Sequence, residues 1–149
     1  MSEEIEIVLC SEENIPEVVS ISQCLSADGL VNALSVEELQ KGDENYYVIV
    51  AKLDNRVVGF AVSSYSWGKL HIEELGVKKE IQIKGIGKKI IDHLIAHAKE
   101  KKLPEVYCEV KAKNVASLKL FLSHGFMERL FFSLGDDPFY GLYLPCIEE

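Results

Sequence analysis

No Cys-x-x-Cys pair occurs in this sequence, no apolar run approaches the length of a membrane span, and basic residues do not outnumber acidic ones. Each shortage excludes a class of protein. Cys10, Cys24, Cys108 and Cys146 are too scattered for a zinc knot or a redox dithiol. They read as reduced, mostly buried thiols of a cytoplasmic protein, with no metal. A span needs roughly 18 consecutive apolar residues, so no membrane role is expected. Met1-Ser2-Glu3-Glu4 is acidic and lacks the basic and apolar regions of a secretory signal. Cys146 is followed by Ile147-Glu148-Glu149, and glutamate is an atypical last residue for a prenylation box. With 16 basic and 24 acidic side chains the net charge is −8, which argues against broad binding to a nucleic-acid backbone. The same charge steers cations toward the surface, although acidity that only aids solubility is the commoner case.

What is present suffices for one self-sufficient domain. A chain of 149 residues buries roughly 68–70% of the surface its unfolded form exposes. It needs no disulfide or metal to fold and is expected to form a single domain over residues 1–149. Ile5 to Leu9 reads as a first strand. Ser11 to Asn14 offers helix caps and Pro16 suits a first helical turn. Ile15, Val18, Val19, Ser22 and Leu25 then recur at helical spacing. Ser26 to Asn32 predicts a loop, and Ser35 to Gln40 a second short helix. Tyr46 to Leu53 and Arg56 to Tyr65 predict a hairpin about Asp54-Asn55, and Lys69 to Val77 a third long strand. Gly85 opens the most strongly patterned helix. Its Ile86, Ile90, Ile91, Leu94, Ile95 and Ala98 form one apolar stripe, and Pro104 ends it. Glu105 to Val110 is a strand, Asn114 caps a helix that Gly125 closes, and Phe126 to Leu134 pairs with Phe139 to Leu144 across a turn at 135–138. The strand–helix–strand unit demands a parallel pair with a right-handed crossover. The fold class is therefore α/β, a mixed central sheet of about seven strands with helices on both faces.

The segment Gln82-Ile83-Lys84-Gly85-Ile86-Gly87-Lys88 joins the third long strand to the patterned helix. Two glycines one residue apart let the backbone bend and approach a ligand closely. The helix start then offers unpaired N–H groups and the positive dipole end, a setting for a diphosphate. Lys84, Lys88 and Lys89 add charge nearby. Two better-known glycine loops are excluded. A dinucleotide fold wants a third glycine where Ile90 stands, and a Walker loop wants a hydroxyl where Lys89 stands. On the loop alone, a glycine turn that merely opens a helix weighs equally.

The context adds to this. The chain resembles the GNAT superfamily of N-acetyltransferases, whose CoA signature, Gln/Arg-x-x-Gly-x-Gly/Ala at a strand-to-helix junction, is matched by Gln82-x-x-Gly85-x-Gly87. Asn114, Ser117, Phe121, Gly125 and Phe126 match a second pattern of that family at the same spacing. The resemblance implies a CoA cleft between splayed parallel strands and acetyl transfer from acetyl-CoA to a primary amine by direct attack on the thioester. It implies that Leu75, Gly76 and Val77 contact the pantetheine arm as an added strand would, with a main-chain N–H near Leu75 as oxyanion donor. It further implies that main-chain groups of Gln82, Ile83, Lys84, Gly85, Ile86, Gly87 and Lys88 hold the diphosphate, and that Asn114 and Phe121 belong to the CoA site. Gly76 suits a bulge or a close backbone approach. Where the family often has a tyrosine acid, this chain has Phe121, so that role is vacant unless water, Tyr140 or Tyr143 takes it.

A lysine-like amine has a pKa near 10.4, so only about one molecule in 10³ is neutral at pH 7 and a base is useful. His71 and Glu73 lie two apart on a strand and should share a face, with Glu74 opposite unless a bulge shifts the phase. Both match positions where family members carry the base. Decoration of a half-exposed strand is the plainer alternative. Other signals weigh less. His93 and His97, four apart, read as solvated surface rather than a metal pair. Cys108 reads as core, and His124 as a cation at a helix end. The aromatic tail from Phe131 to Tyr143 could wall a pocket, form a homodimer surface or simply pack. Two readings compete with the enzyme: a non-catalytic acyl-CoA-binding module, which Phe121 keeps open, and an interaction domain whose loop binds nothing. The identity of the amine is not encoded in any readable motif. In the family its pocket draws on segments equivalent to Cys24 to Gln40 and Leu130 to Leu144.

Overall fold

Near-continuous apolar runs such as Val48 to Ala51 and Val57 to Val62 give the central strands two hydrophobic faces, and helices cover both. The computed structural model describes residues 4–29, 39, 44–81 and 85–147. Its elements are β1 (Glu6–Leu9), α1 (Ile15–Ala27), β2 (Tyr46–Leu53), β3 (Arg56–Ser66), β4 (Lys69–Val77), α2 (Ile86–Glu100), β5 (Glu105–Lys111), α3 (Val115–Ser123), β6 (Met127–Leu134) and β7 (Asp137–Pro145). The strands form one seven-stranded sheet in the order β1-β2-β3-β4-β5-β7-β6. Only β4 and β5 pair in parallel, as the intervening α2 requires. The second helix expected over Ser35 to Gln40 lies outside the described residues, Leu39 excepted. No helix among the described residues is long and apolar enough to cross a membrane.

The larger core lies between the sheet and the two later helices. Ile86, Ile90, Ile91 and Leu94 of α2 and Phe121 of α3 meet Leu70, Ile72, Val106 and Cys108 of the sheet. Each of the four α2 side chains is at most 1% exposed, and burying one contributes about 1.5–3 kcal/mol. The smaller core sets Val18, Ile21 and Leu25 of α1 against Val50, Phe60 and Val62. Cys108, 2% exposed, is core as expected, and burial pushes its thiol far above the ordinary range. The short 3-10 turn Glu12–Asn14 that leads into α1 is fixed by Ser11, whose N–H and Oγ both reach Asn14 Oδ1, at 3.0 and 2.8 Å.

Two boundaries differ from the sequence reading. α1 runs on to Ala27, into the expected loop, because Gly29 at φ 72° supplies the left-handed residue that closes a helix. The last hairpin turns on Gly135 and Asp136 alone, and Pro138 pairs within β7 opposite Ser133. A proline fits there because its carbonyl accepts from Ala112 N at 2.9 Å. Its nitrogen therefore faces the same side, past the end of β5, where the ladder asks for no donor.

Candidate functional site

Parallel pairing of β4 with β5 is short. Leu70, His71 and Ile72 pair with Val106, Tyr107 and Cys108, and the register ends there although both strands continue. Past this point the strands separate and leave a cleft of about 80 Å³. Its walls are Ile72 to Leu75 of β4 and Cys108 to Lys111 of β5, with Asn114, Ser117 and Phe121 from α3 and Phe139 from β7. One edge of β4 therefore has main-chain groups that β5 no longer pairs. An extended ligand arm could take the place of the missing strand.

The separation begins at a bulge. On the other side of β4, Ser63 pairs with Ile72 but Val62 pairs with Glu74, so Glu73 is the extra residue. Of the two roles expected for Gly76, a bulge or a close approach, it has the second: an added Cβ would sit 2.7 Å from both Leu25 Cδ1 and Phe60 Cε1. The bulge also resets the alternation. His71 pairs with Ser64 and Glu74 with Val62, so His71 and Glu74 share the α1 side of the sheet, contrary to the plain strand reading. Leu75 and Val77 return to the side of Leu70 and Ile72, against the larger core. Glu73 stands exposed at the kink. It lines the inter-strand cleft and also a shallower bowl that includes His71.

His71 is anchored by a residue the sequence reading missed. Its Nε2 lies 2.6 Å from Glu109 Oε1, and its ring stacks on Tyr107 at 4.4 Å and 4°. An ionised carboxylate can only accept, so Nε2–H donates and the neutral ring keeps its lone pair on Nδ1. The signal for Glu109 was present but non-local: the register that sets Tyr107 beside His71 comes from β-pairing, not from spacing.

At the far end of β4, Gln82, Ile83 and Lys84 lie outside the described residues. Gly85 precedes α2 at φ 96°, with nothing within 4 Å of an added Cβ. Its glycine is therefore required by conformation rather than by crowding. The first helical bond runs from Lys89 N to Gly85 O at 2.9 Å, so the N–H groups of Ile86, Gly87 and Lys88 precede the ladder. Gly87 does something else as well, since a Cβ there would meet Leu120 Cδ2 at 2.6 Å, which draws α2 and α3 together. The Lys88 ammonium is held by Asp92 Oδ2 at 2.7 Å. Asp92 also takes His124 Nε2 at 3.1 Å, while His124 Nδ1 donates to Leu120 O at 2.8 Å. The hydrogen bond and charge of Lys88, with His124 in support, hold the Asp92 carboxyl below the usual range.

Asn114 caps α3, accepting from Ser117 N at 3.3 Å. Phe121 is 2% exposed and sits edge-on to Phe126 at 5.0 Å. Neither Tyr140 nor Tyr143 lines the cleft. Tyr143 lies under the Arg129 guanidinium at 3.9 Å. The protic side chains that do line it include Cys108, Lys111, Asn114 and Ser117. His93 and His97 are not solvated surface, as the sequence reading had them. Tyr47 Oη meets His93 Nε2 at 2.8 Å and Tyr65 Oη meets His97 Nε2 at 2.7 Å. The Tyr47 ring stacks on His97 at 3.6 Å. These contacts pin α2 to β2 and β3, and no group of three metal-ligating side chains occurs among the described residues.

Comparison with known proteins agrees with this geometry. The profile described as the Acetyltransferase (GNAT) family matches residues 19–126. A [ribosomal protein bS18]-alanine N-acetyltransferase from Salmonella typhimurium is 27% identical over 85 residues, 57% of this chain and 57% of that protein. The match thus spans little more than half of that relative's length. The crystal structure of the ribosomal-protein-S18-alanine N-acetyltransferase from Escherichia coli superposes with TM-score 0.84 at 20% identity, covering 98% of this chain and 96% of the other. An acetyltransferase from Bacillus anthracis, solved in complex with acetyl coenzyme A, superposes with TM-score 0.67 at 29% identity over 76% of this chain and 69% of the other.

Proposed function

The chain belongs to the GNAT acetyltransferase family, and from that premise we propose that it is an N-acetyltransferase that moves an acetyl group from acetyl-CoA to a primary amine. The observation that carries the reading is the early end of the β4–β5 pairing at Ile72 and Cys108, directly beside the bulged Glu73. Acetyl-CoA supplies an electrophilic thioester carbonyl and a thiol leaving group. The residues present fit that donor. Main-chain groups of Leu75, Gly76 and Val77 line the unpaired stretch of β4, and Leu75 N–H is the proposed oxyanion donor. The N–H groups of Gly85 to Lys88, with Gln82, Ile83 and Lys84 before them, are proposed to hold the diphosphate. Asn114 and Phe121 complete the wall on the α3 side.

Glu73 is the proposed base because, of the two candidates, it alone lines both the cleft and the bowl. Its carboxylate takes the proton that the amine sheds, directly or through water, as the nitrogen bonds to the acyl carbon and the carbon–sulfur bond breaks. His71, held by Glu109, is the proposed relay that passes that proton to solvent. Phe121 has no proton to give, so the departing thiolate takes its proton from water or from Ser117. A thiol pKa near 8.5 makes it a fair leaving group in either case. The whole chain is proposed to act as one domain in the cytoplasm. The homodimer expected from the aromatic tail is proposed to use β6, where Leu130, Phe131 and Leu134 are 48%, 57% and 61% exposed; sedimentation reads this directly.

The experiment is release of free thiol from acetyl-CoA in the presence of diverse amines. Amine-dependent release that Glu73→Gln abolishes supports the reading. Acetyl-CoA binding without turnover of any amine favours the non-catalytic module.

A further inference from the structure

Beside the cleft, on the α1 side of the sheet, lies a bowl of about 550 Å³. Its wall includes Tyr46 at the start of β2, Ser64 and Ser66 of β3, Trp67 in the β3–β4 turn, and His71 and Glu73 of β4. The bowl is wide and shallow, so a ligand seated in it would keep one side in water. Among the described residues, Glu73 is the only one that lines both the bowl and the cleft.

Trp67 is the unusual member. It is 91% exposed and sits at φ 57°, followed by Gly68 at φ 71°. Positive φ at both central positions of a tight hairpin turn favours asparagine, aspartate or glycine. The β2–β3 turn obeys that rule with Asp54 and Asn55, at φ 50° and 65°. A bulky aromatic at such a position is an outlier. Here it buries nothing, so neither turn chemistry nor packing explains it. Strain that serves no fold points to a function.

The charge of the bowl is one-sided. Its described lining holds Glu73 and no lysine or arginine. The nearest cation on β4, Lys69, is engaged with Glu105 at 3.3 Å. An ammonium would find a carboxylate ahead of it and aromatic faces on the rim, both of which attract cations. A substrate carboxylate beside that ammonium would face Glu73 with no counter-charge among the described lining residues.

Resting on the acyl-transfer reading of the adjoining cleft, we infer that this bowl is the part of the acceptor site built by β2, β3 and β4, and that it selects a primary alkylammonium with an apolar or aromatic body and no carboxylate beside the nitrogen. Free α-amino acids are thereby disfavoured. Trp67 and Tyr46 cover the apolar body, and Glu73 receives the ammonium before it becomes the base.

Trp67 is the single tryptophan of the chain, so its fluorescence reports on this bowl alone. Phenethylamine and phenylalanine differ only by the carboxylate, and neither absorbs where tryptophan is excited. Titration with phenethylamine should change the emission saturably, and phenylalanine should need about tenfold more or fail to saturate, a difference of the size expected for one unpaired charge. Glu73→Gln should weaken phenethylamine several-fold and narrow the gap between the two ligands. Equal response to both ligands, or no response to either, overturns the inference. A melting-temperature shift with acetyl-CoA is measured on the same protein. If acetyl-CoA binds and neither amine does, the bowl assignment falls while the donor cleft stands; if phenethylamine binds and acetyl-CoA does not, the donor reading falls.

Discussion

At the scale of single residues the bulge at Glu73 has the largest chemical consequence. One extra residue between Ile72 and Glu74 turns a carboxylate toward the place where two strands part. General-base assistance is worth about 10²–10⁴-fold, so Glu73→Gln is expected to lower kcat by that range while acetyl-CoA still raises the melting temperature. Loss of acetyl-CoA binding in that variant instead would mean that Glu73 shapes the cleft rather than moves a proton. Glu109→Gln keeps a hydrogen-bond acceptor 2.6 Å from His71 but removes the charge. Exposed ion pairs contribute little stability, so this variant should melt within about 2 °C of the parent. Its kcat should nonetheless fall about tenfold. An unchanged kcat would remove His71 and Glu109 from the mechanism.

At the scale of elements, two glycines hold the sheet and the helices at their working distance. A methyl at Gly76 would press on Leu25 and on Phe60, whose ring is 0% exposed and has nowhere to go. Gly76→Ala is expected to destabilise by about 1–3 kcal/mol, the cost of overpacking, as read by denaturant melts. Gly85 meets no such crowding, but at φ 96° an alanine there costs about 1–2 kcal/mol. It should also weaken acetyl-CoA binding, because the amides of the first turn would re-aim. The seam between α2 and the hairpin of β2 and β3 carries a pH dependence. Burial holds His93 and His97 below the ordinary histidine range and pushes Tyr47 and Tyr65 above the tyrosine range, so all four stay neutral near pH 7. A depressed histidine pKa means the unfolded chain binds protons first. Stability is then full above about pH 6.5 and is lost as pH falls through that value toward the native pKa values. Melting temperature should decline from pH 7 to 5, and His93→Gln with His97→Gln should flatten that slope. A slope unchanged in the double variant would assign it to other groups.

At the scale of the whole molecule the parts meet at one seam. α2 presents its N-terminus at the end of β4, α3 closes the cleft with Asn114, Ser117 and Phe121, and the opposite face of the sheet carries the bowl. Acetyl-CoA bound across this seam should stabilise all of it together. At 100 times its Kd a ligand adds about 2.7 kcal/mol, or about 5–10 °C for a chain of this size. A flat melting curve against acetyl-CoA would remove the donor site.

The sequence by itself determined the order of elements along the chain, the helix stripes and the glycine that opens α2, because each is written in local periodicity or in the conformational needs of a single residue. Ile86, Ile90, Ile91 and Leu94 could face nothing but a core. Asp54 and Asn55 could serve only as a turn. The tertiary structure alone decided which residue bulges, which carboxylate meets His71 and what surrounds His93 and His97. Those outcomes rest on registers between segments far apart in the chain. A shift of one residue between β3 and β4 moves Glu74 from one face to the other, and no local pattern records that shift. The bowl at Trp67 belongs to the same class, since its wall joins the start of β2 to the turn after β3, which only the folded sheet brings together.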